Sequence, residues 1–383
     1  MIPGLDGLRA VAFLLVYALH TDYVRMGWVG VQFFFVLSGF LITGILLDMK
    51  KSLPPREYFF KFYGRRFLRI FPLYYFYLLL MAAVATWLIS IAYRPNYMKI
   101  YLDQARYAYF YVYDFFFATD ALQLSHFLDH FWSLSVEEQF YIFWPLLILL
   151  VPEKALKKLF LSFILLGPLF RLALFFVHGA GGLSFLNDEV SIAVYPLPFS
   201  HIDAFAFGAY LSRYSIPKAR GQFFLLLAVL PVIGYASQYI ATGDIGRLSA
   251  FGFPHLLSDA YKFIWGYSLL NYFFAVTIQA VARDRLFVRF LDWAPMQYLG
   301  KISYGLYVYH LPVIWFASRV RDLGLPEPVA KAVTALIAFV ITLLVASASY
   351  YLMERPLLNL KDRFFSLRRS EKQNAAVSVV TTE

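Results

Sequence analysis

The sequence predicts an all-α integral membrane protein, a bundle of about ten transmembrane helices with both termini in the cytoplasm. Composition is the first observation: of 383 residues, 61% are apolar and 15% are charged, whereas soluble domains hold about 45–50% apolar and 25% charged residues. The second is spacing, because apolar runs of about 17 to 25 residues, long enough to cross a bilayer, recur along the whole chain. The third is the uneven distribution of Lys and Arg between the two sets of predicted loops.

The apolar runs define ten predicted spans. The first begins almost at Met1 and has no small-residue cleavage site behind it, so it is predicted to be a retained helix and not a signal peptide. Residues 1–356 form the predicted transmembrane domain, and residues 357–383 form a short basic and polar cytoplasmic tail. The predicted spans cover approximately residues 5–21, 28–48, 68–92, 132–151, 159–177, 199–213, 222–241, 262–282, 300–318 and 329–352.

Charge sets the predicted orientation, because cytoplasmic loops are enriched in Lys and Arg. The loops and tail on the side of the termini hold 23 of these residues, against 7 in the loops on the other side. Both termini are therefore predicted to be cytoplasmic. The net charge of +10 arises mostly from the same loops, so it indicates contact with membrane lipids and not with nucleic acid.

The chain contains no cysteine. This excludes thiol nucleophiles, disulfides, cysteine-ligated zinc and iron–sulfur clusters, and no metal site is predicted. The functional candidates are instead ionisable residues inside the predicted spans, because such groups are costly in a membrane, by at least about 2.5 to 3.5 kcal/mol on insertion scales.

Arg9 and His20 are the first candidates, and both lie in the first predicted span. They are eleven positions apart, and at about 100° per residue they project from nearly the same face of a helix. Their separation along the axis is about 16 Å, with Arg9 near the cytoplasm and His20 toward the outer leaflet. Arg9 alone could extend to the headgroups, but an Arg and a His on one face indicate a function.

The segment FWSLSVEEQFYIFWP, residues 131–145, opens the fourth predicted span from outside and carries Glu137 and Glu138. Adjacent residues differ by about 100°, so the two carboxylates cannot both face one cavity. One of them could cap the helix N-terminus. By depth, we expect one to lie level with His20 and to orient the imidazole as a general base.

The segment GRRFLRIFP, residues 64–72, places Arg65, Arg66 and Arg69 in one predicted cationic patch at the cytoplasmic end of the third span. Two interpretations stay open. The patch could anchor the helix and bind anionic lipid headgroups. It could also hold the phosphates of a nucleotide-bearing donor, which the bidentate guanidinium suits.

Hydroxyl and imidazole groups mark a predicted polar cavity. Residues 298–312, YLGKISYGLYVYHLP, carry Tyr304 and His310 on a helix with several other hydroxyls. Ser38, beside Gly39 in the second span, could line the same cavity or serve close helix packing, and packing is the favoured interpretation.

Six segments resemble, in order, the acyltransferase-3 family of membrane acyltransferases, from residue 3 to residue 356. An Arg followed after ten residues by a His, and later by WSLSVEEQFY, is the most specific combination. The segments are PGLDGLRAVAFLLVYALH, FFFVLSGFLIT, RRFLRIFPLYY, FWSLSVEEQFYIFWP, ISYGLYVYH and MERP.

The resemblance implies transfer of an acetyl or other short acyl group from acyl-CoA to a hydroxyl of a surface polysaccharide or lipid-linked precursor, at the cytoplasmic (inner) membrane of a bacterium. It implies that Arg9 and His20 are essential, that Arg66 and Arg69 belong to the Arg-x-x-Arg element, and that Glu137 heads the glutamate motif. No tightly bound cofactor is expected, and acyl-CoA, in the simplest case acetyl-CoA, is the donor substrate.

Two features depart from the family pattern. Some members carry an extracytoplasmic SGNH esterase-like domain, and this chain is expected to lack one, so it would finish the transfer itself or hand the acyl group to a separate extracytoplasmic partner. In HIDAFAFGAYL, residues 201–211, His201 stands where many members have Arg two residues before Asp203. The roles of His201 and Asp203 therefore stay open.

These observations combine into one mechanistic hypothesis. The inner arginines, Arg9, Arg65, Arg66 and Arg69, hold the CoA phosphates, and the pantetheine arm brings the thioester to the level of His20. His20, paired with Glu137, takes the proton from the acceptor hydroxyl. Direct transfer and a covalent relay through His20, Ser38 or a tyrosine both stay open.

Other functions predict other features. A transporter or flippase of a lipid-linked sugar would also hold charged residues in the membrane, but it predicts inverted repeats with broken helices in matching halves, which the sequence does not display. Acylation of a small secondary metabolite is an alternative within the same chemistry. A purely structural scaffold would leave the Arg and His of the first span unexplained.

Overall fold

The computed structural model describes residues 2–365, and within this range the chain forms helices and connecting loops without a β-strand. We number the helices α1 to α16 in chain order. They are Leu5–His20, Val29–Ser52, Pro55–Ser90, Pro95–Tyr109, Tyr113–Phe117, Phe131–Leu150, Leu156–Gly179, Val190–Val194, Ile202–Arg213, Ala219–Thr242, Lys262–Ala282, Val288–Leu291, Ala294–Lys301, Ser303–Ala317, Glu327–Ser349 and Arg355–Phe364.

Seven helical segments of the described chain are long and apolar enough to cross a membrane, which confirms an all-α, multi-pass membrane protein. The other three predicted spans coincide with α1, α9 and α14, which have 16, 12 and 15 residues. A helix of about 20 residues is needed to span the hydrocarbon core. The count of ten crossings and the cytoplasmic location of the termini therefore remain predictions. The seven segments are Arg25–Ser52, Pro55–Ser90, Phe131–Leu150, Glu153–Gly179, Ala219–Thr242, Asp259–Ala282 and Glu327–Leu360.

The short helices lie inside the bundle. Most residues of α14 are buried on every side, whereas α10 and α15 present large apolar side chains such as Ile240 and Leu344 on the surface. Surface apolar residues on a long helix are typical of a face that contacts lipid. A helix enclosed by protein needs no such face, which explains how α1, α9 and α14 can be short.

Close packing of α2 on α9 fixes the centre of the bundle. A Cβ atom at Gly39 would lie 2.1 Å from the carbonyl oxygen of Phe205, and one at Gly208 would lie 2.0 Å from that of Val36. Small residues at such contacts let helix backbones approach closely. Gly39 provides the packing, and the neighbouring Ser38 points to a different partner, described below.

The segment between α3 and α6 covers one end of the bundle. Tyr74 and Tyr77 of α3 donate hydrogen bonds to the carbonyls of Ala108 and Phe127, both at 2.7 Å. Tyr101 of α4 donates one back to Leu78, also at 2.7 Å. These tyrosines are buried, so they attach the segment to the helices. We call this the His20 end of the bundle, and the opposite end of α1 the Arg9 end.

The predicted tail is described only in part. Its first residues form α16, Arg355–Phe364, which packs against α3. The remainder, residues 366–383, lies outside the described residues.

Candidate active site

Two sets of polar side chains lie along α1. The set at the Arg9 end contains several arginines. Arg9 donates a hydrogen bond to the carboxylate of Asp6, one helical turn away. Arg69 of α3 and Tyr141 of α6 are further electrostatic neighbours of Arg9. Arg66 lies with its guanidinium 5.1 Å from the centre of the Tyr141 ring. Helices α1, α3 and α6 therefore bring three arginines to one place.

A serine, a glutamate and a tyrosine form a hydrogen-bonded triad within this group. The Ser38 hydroxyl and the Tyr141 hydroxyl both donate to Oε1 of Glu137, the latter at 2.5 Å, and the two hydroxyl oxygens are 3.3 Å apart. Residues 137 and 141 are one turn apart on α6, so both face α2. A carboxylate that accepts a serine hydroxyl proton is an arrangement that can activate a nucleophile.

Glu138 belongs to the same group but lies on another face of α6. It is 6% exposed, and its electrostatic neighbours include Glu137 and Arg66. Tyr304 lies near it and donates a hydrogen bond to the Ile70 carbonyl at 3.2 Å. Arg66 thus lies near both glutamates, and the two acids approach it from neighbouring faces of one helix.

Glu354 completes the group, which we call the Arg9 cluster. It is 8% exposed, ends the π-helical turn Tyr350–Glu354 and has Arg69 as an electrostatic neighbour. The sequence analysis quoted the MERP segment but assigned this acid no role. The sequence feature that marks Glu354 is an acidic residue at the end of an apolar span. The cluster consists of Asp6, Arg9, Ser38, Arg66, Arg69, Glu137, Glu138, Tyr141 and Glu354.

The predicted cationic patch divides in two. Arg66 and Arg69 are three residues apart, share a face of α3 and join the Arg9 cluster. Arg65 donates a hydrogen bond at 3.0 Å to the carbonyl of Phe365, just after α16. Residues 65 and 66 differ by about 100° around the axis, so adjacent arginines reach different surroundings.

Three histidine side chains lie close together at the His20 end. The His20 ring lies 5.1 Å from the His310 ring, which lies 5.4 Å from the ring of His130. His310 and His130 are buried and contact the carbonyls of Tyr307 and Val308 at 2.6 and 2.9 Å. His20, His130 and His310 form what we call the His20 cluster. His130 was not among the predicted site residues, because it lies just before α6 and only the folded chain brings it to α14.

The expected pair of His20 and Glu137 is not formed. Glu137 bonds to Ser38 and Tyr141, while His20 lies beside His310. His130, at the start of α6, marks the depth of the His20 cluster, and Glu137 follows seven residues later, about 10 Å deeper at 1.5 Å per residue. The prediction placed the carboxylate level with His20, but the motif carries no information on the register between α1 and α6.

A cavity of about 270 Å³ opens beside His20, which is exposed to it. We call it the His20 cavity. Its walls come from α1, the loop before α4, the end of α14 and the start of α15. The residues that line it are His20, Thr21, Arg94, His126, Ile314, Trp315, Ser318, Arg319, Arg321, Lys331, Thr334 and Ala335. Within the described part of the chain, no group of three or more His, Asp or Glu side chains is arranged to hold a metal ion.

Residues 2–351 match the family profile described as "Acyltransferase domain", which covers nearly the whole chain. The chain belongs to the acyltransferase-3 family. The match includes both clusters except Glu354.

Curated relatives of this acyltransferase-3 chain are O-acetyltransferases by name. It is 28% identical to O-acetyltransferase OatA of Staphylococcus aureus, over 99% of this chain and 61% of that protein. It is also 28% identical to peptidoglycan O-acetyltransferase OatA of Listeria monocytogenes, over 93% and 56%, and to the putative peptidoglycan O-acetyltransferase YrhL of Bacillus subtilis, over 96% and 56%. The chain thus spans somewhat more than half the length of these relatives. No solved structure matches it.

His201, which departs from the pattern of the acyltransferase-3 family, and Asp203 are both buried and make contacts outside the two clusters. Asp203 pairs with Arg171 of α7 at 3.0 Å, both side chains being inaccessible to solvent, and Ser268 of α11 donates to the same carboxylate at 2.5 Å. His201 contacts Gln32 at 2.9 Å and the Tyr195 carbonyl at 2.6 Å. The network joins α7, α9 and α11, so both residues hold helices together.

Proposed function

We propose that this chain is a membrane O-acyltransferase that moves an acetyl or other short acyl group from acyl-CoA to a hydroxyl of a cell-envelope carbohydrate. One observation carries the proposal: α1 presents Arg9 to one polar cluster and His20 to another, about 16 Å apart along one face. Membership of the acyltransferase-3 family supports it, as do the names of the relatives.

In this proposal the Arg9 end faces the cytoplasm, where acyl-CoA is available, and the His20 end faces the outer side of a bacterial cytoplasmic membrane. The bias of Lys and Arg toward the predicted loops on the side of the termini supports this orientation. The donor enters at Arg9, Arg66 and Arg69, with Arg65 at the rim, where guanidinium groups suit phosphates. The acyl group then travels along α1 toward the acceptor.

The chemistry proceeds by acyl transfer with His20 as general base. The acceptor oxygen attacks the thioester carbon and forms a C–O bond while His20 takes the hydroxyl proton. The C–S bond then breaks, and the sulfur is protonated and leaves as the thiol of CoA. His310, beside His20, restricts the orientation of the His20 ring.

A relay through Ser38 is the second route and follows from the Ser38–Glu137 hydrogen bond. Ser38 would attack the thioester carbon and give its proton to Glu137, and the C–S bond would break as the CoA sulfur takes a proton from Glu137. The acceptor hydroxyl would then attack the Ser38 ester with Glu137 taking its proton, and the bond to the Ser38 oxygen would break as that oxygen takes a proton back from Glu137. The route gives Glu137 the role of a base for Ser38 instead of a partner for His20.

The proposed acceptor class is a sugar of the cell wall, because two relatives are named for peptidoglycan O-acetylation. A separate extracytoplasmic protein is a second proposed recipient of the acyl group. No tightly bound cofactor is proposed.

The test is acyl transfer in proteoliposomes that contain the full chain. Radiolabelled acetyl-CoA is supplied on the side of the Arg9 end and a cell-wall glycan on the other, and labelled ester is measured. We expect transfer by the wild type and none by His20→Ala. The control is His178→Ala, because His178 contacts the Asn187 carbonyl outside both clusters. Full transfer by His20→Ala, or movement of an unmodified lipid-linked sugar without ester formation, would overturn the proposal.

A further inference from the structure

The His20 cavity has an unusual balance of charge. Arg94, Arg319, Arg321 and Lys331 line it, and no Asp or Glu does. Lys331 is compensated by Asp22 at 3.4 Å. Among residues 2–365, the three arginines form no ion pair with a carboxylate. Burial lowers the pKa of His126, so this wall residue is neutral at pH 7 and the excess positive charge comes from the arginines.

An aromatic residue holds two of these arginines in place. The Arg319 guanidinium lies 4.7 Å from the centre of the Trp315 ring, and that of Arg94 lies 5.8 Å from it. Trp315 itself is buried and stacks on Tyr97 at 5.3 Å with an interplanar angle of 4°. A cation held by a ring keeps its full charge for a ligand, whereas a cation paired with a carboxylate does not.

Two buried polar atoms of the wall lack a partner in the described structure. Thr334 is 4% exposed, and its hydroxyl has no hydrogen-bond partner among residues 2–365; the same is true of Nε of Arg319. Buried polar groups are nearly always satisfied, so these atoms indicate that a polar ligand binds there. The hydroxyl can donate or accept, and the guanidinium can only donate.

We infer that the His20 cavity is a subsite for an anionic sugar, and that the acceptor carries a carboxylate or a phosphate next to the hydroxyl that is acylated. The inference rests on the proposed function, because His20 is the proposed base for that hydroxyl. A cavity of about 270 Å³ fits one sugar unit, since pockets for larger ligands measure about 300–1,000 Å³. Arg319 and Arg321 bind the anion, and Thr334 binds a ring hydroxyl.

A lipid headgroup can also present a phosphate, but the location of the cavity beside His20 favours a sugar. The cavity is shared with His20, whose ring reaches the buried His310 and His130. A lipid headgroup bound there would occupy the place where the acceptor hydroxyl must approach. The experiment therefore tests an anionic lipid as a competitor.

The experiment measures binding of trigalacturonate and of its neutral methyl ester to the full chain in detergent, by microscale thermophoresis. We expect the acid to bind at least about tenfold more tightly than the ester, because charge-assisted hydrogen bonds are about twice as strong as neutral ones. Arg319→Gln and Arg321→Gln should each remove most of this preference. The control is Arg106→Gln, which removes one exposed charge outside the cavity.

The outcome is separable from the proposed function because binding needs no acyl transfer. His20→Ala should retain the preference for the acid. A wild-type protein that binds the acid without transferring acyl groups would contradict the proposed enzymatic function and support the proposed subsite. Equal binding of acid and ester would overturn the inference. So would equal losses in Arg319→Gln and Arg106→Gln, or displacement of the sugar by phosphatidylglycerol micelles with the same dependence on Arg319.

Discussion

The two ends of α1 use positive charge in opposite ways. In the Arg9 cluster every arginine has acidic neighbours: Arg9 bonds to Asp6, Arg66 lies near Glu137 and Glu138, and Arg69 lies near Glu354. At the His20 end, three arginines line the cavity without carboxylates, and two of them, Arg94 and Arg319, contact the Trp315 ring. The difference indicates that acids position the arginines of the first cluster, whereas no carboxylate compensates the arginines of the cavity.

The comparison also assigns the chemistry to different depths. The Arg9 cluster contains the carboxylate and hydroxyls of Glu137, Ser38 and Tyr141, whereas the His20 end contains imidazoles. A base that accepts a proton near pH 7 is typically a histidine. The proposed function accordingly places proton removal from the acceptor at the His20 end and binding of the donor at the Arg9 end.

The largest expected effect comes from removing the imidazole at the His20 end. His20→Ala should lower the rate of acyl transfer about 100- to 10,000-fold, the contribution typical of a general base, with unchanged binding of acyl-CoA. Rates in proteoliposomes and equilibrium binding of the donor test this. A parallel loss of donor binding would mean that the two ends do not act separately.

The second prediction separates the two glutamates of α6. Glu137→Gln removes the charge that accepts hydrogen bonds from Ser38 and Tyr141, and we expect transfer to fall about 100-fold. Glu138→Gln, the matched control on the next residue, should reduce transfer less, because no hydrogen bond joins Glu138 to Ser38 in the described structure. Equal losses would remove the special role of the triad.

Ser38 offers a way to distinguish the two routes within this prediction. If the acyl group passes through Ser38, rapid quenching after addition of labelled acetyl-CoA without glycan should trap a labelled protein ester in the wild type and none in Ser38→Ala. Absence of label in the wild type, together with full transfer by Ser38→Ala, would leave direct transfer as the mechanism.

The third prediction assigns each substrate to one end. Arg69→Gln should raise the KM for acyl-CoA about tenfold, equivalent to about 1.4 kcal/mol, and leave the KM for the glycan unchanged. Arg319→Gln should do the reverse. Steady-state kinetics with each substrate varied in turn tests both. If both variants change both constants equally, the contrast between the two ends has no functional meaning.

Local periodicity predicted much of this arrangement. The spacing of Arg9 and His20 placed both on one face of α1, and apolar runs located the long helices. Positions that depend on contacts between distant helices could not be predicted. Glu137 meets Ser38 and not His20, because the register of α6 against α1 is set by tertiary packing.

The missed residues have the same physical cause. His130 lies in a connecting loop and acquires a role only when α14 places His310 beside it. Arg171 and Asp203 are ionisable residues inside predicted spans, but they are 32 residues apart in sequence, and only tertiary packing brings them together. The span 5–21 agrees with α1 within one residue, whereas α9 and α14 are shorter than predicted. A helix enclosed by protein has no minimum length, and hydropathy alone assumes contact with lipid.

The smallest expected effect concerns Asp114, which attaches the covering segment of the His20 end to α6. Its carboxylate accepts hydrogen bonds from Gln139 at 3.0 Å, and burial raises its pKa from 3.8 to about 7. Between these values the folded protein holds a proton that the unfolded chain has released. The stability that Asp114 contributes therefore falls as pH rises from about 4 to 7 and is constant above that range.

We expect the thermal unfolding midpoint of the wild type, relative to that of Asp114→Asn at the same pH, to fall by about 2–5 °C between pH 5 and pH 7.5, measured in detergent by intrinsic fluorescence. Asp114→Asn lacks this titration and keeps a polar partner for Gln139. Asp129, whose pKa burial raises to about 6, and the histidines titrate in both proteins, so their contributions cancel in the difference. The control is Asp103→Asn at an exposed position of α4. Because Asp114 lies outside both clusters, the transfer rate at pH 7.5 should be unchanged in Asp114→Asn, and a reduced rate would mean that the covering segment also shapes the site.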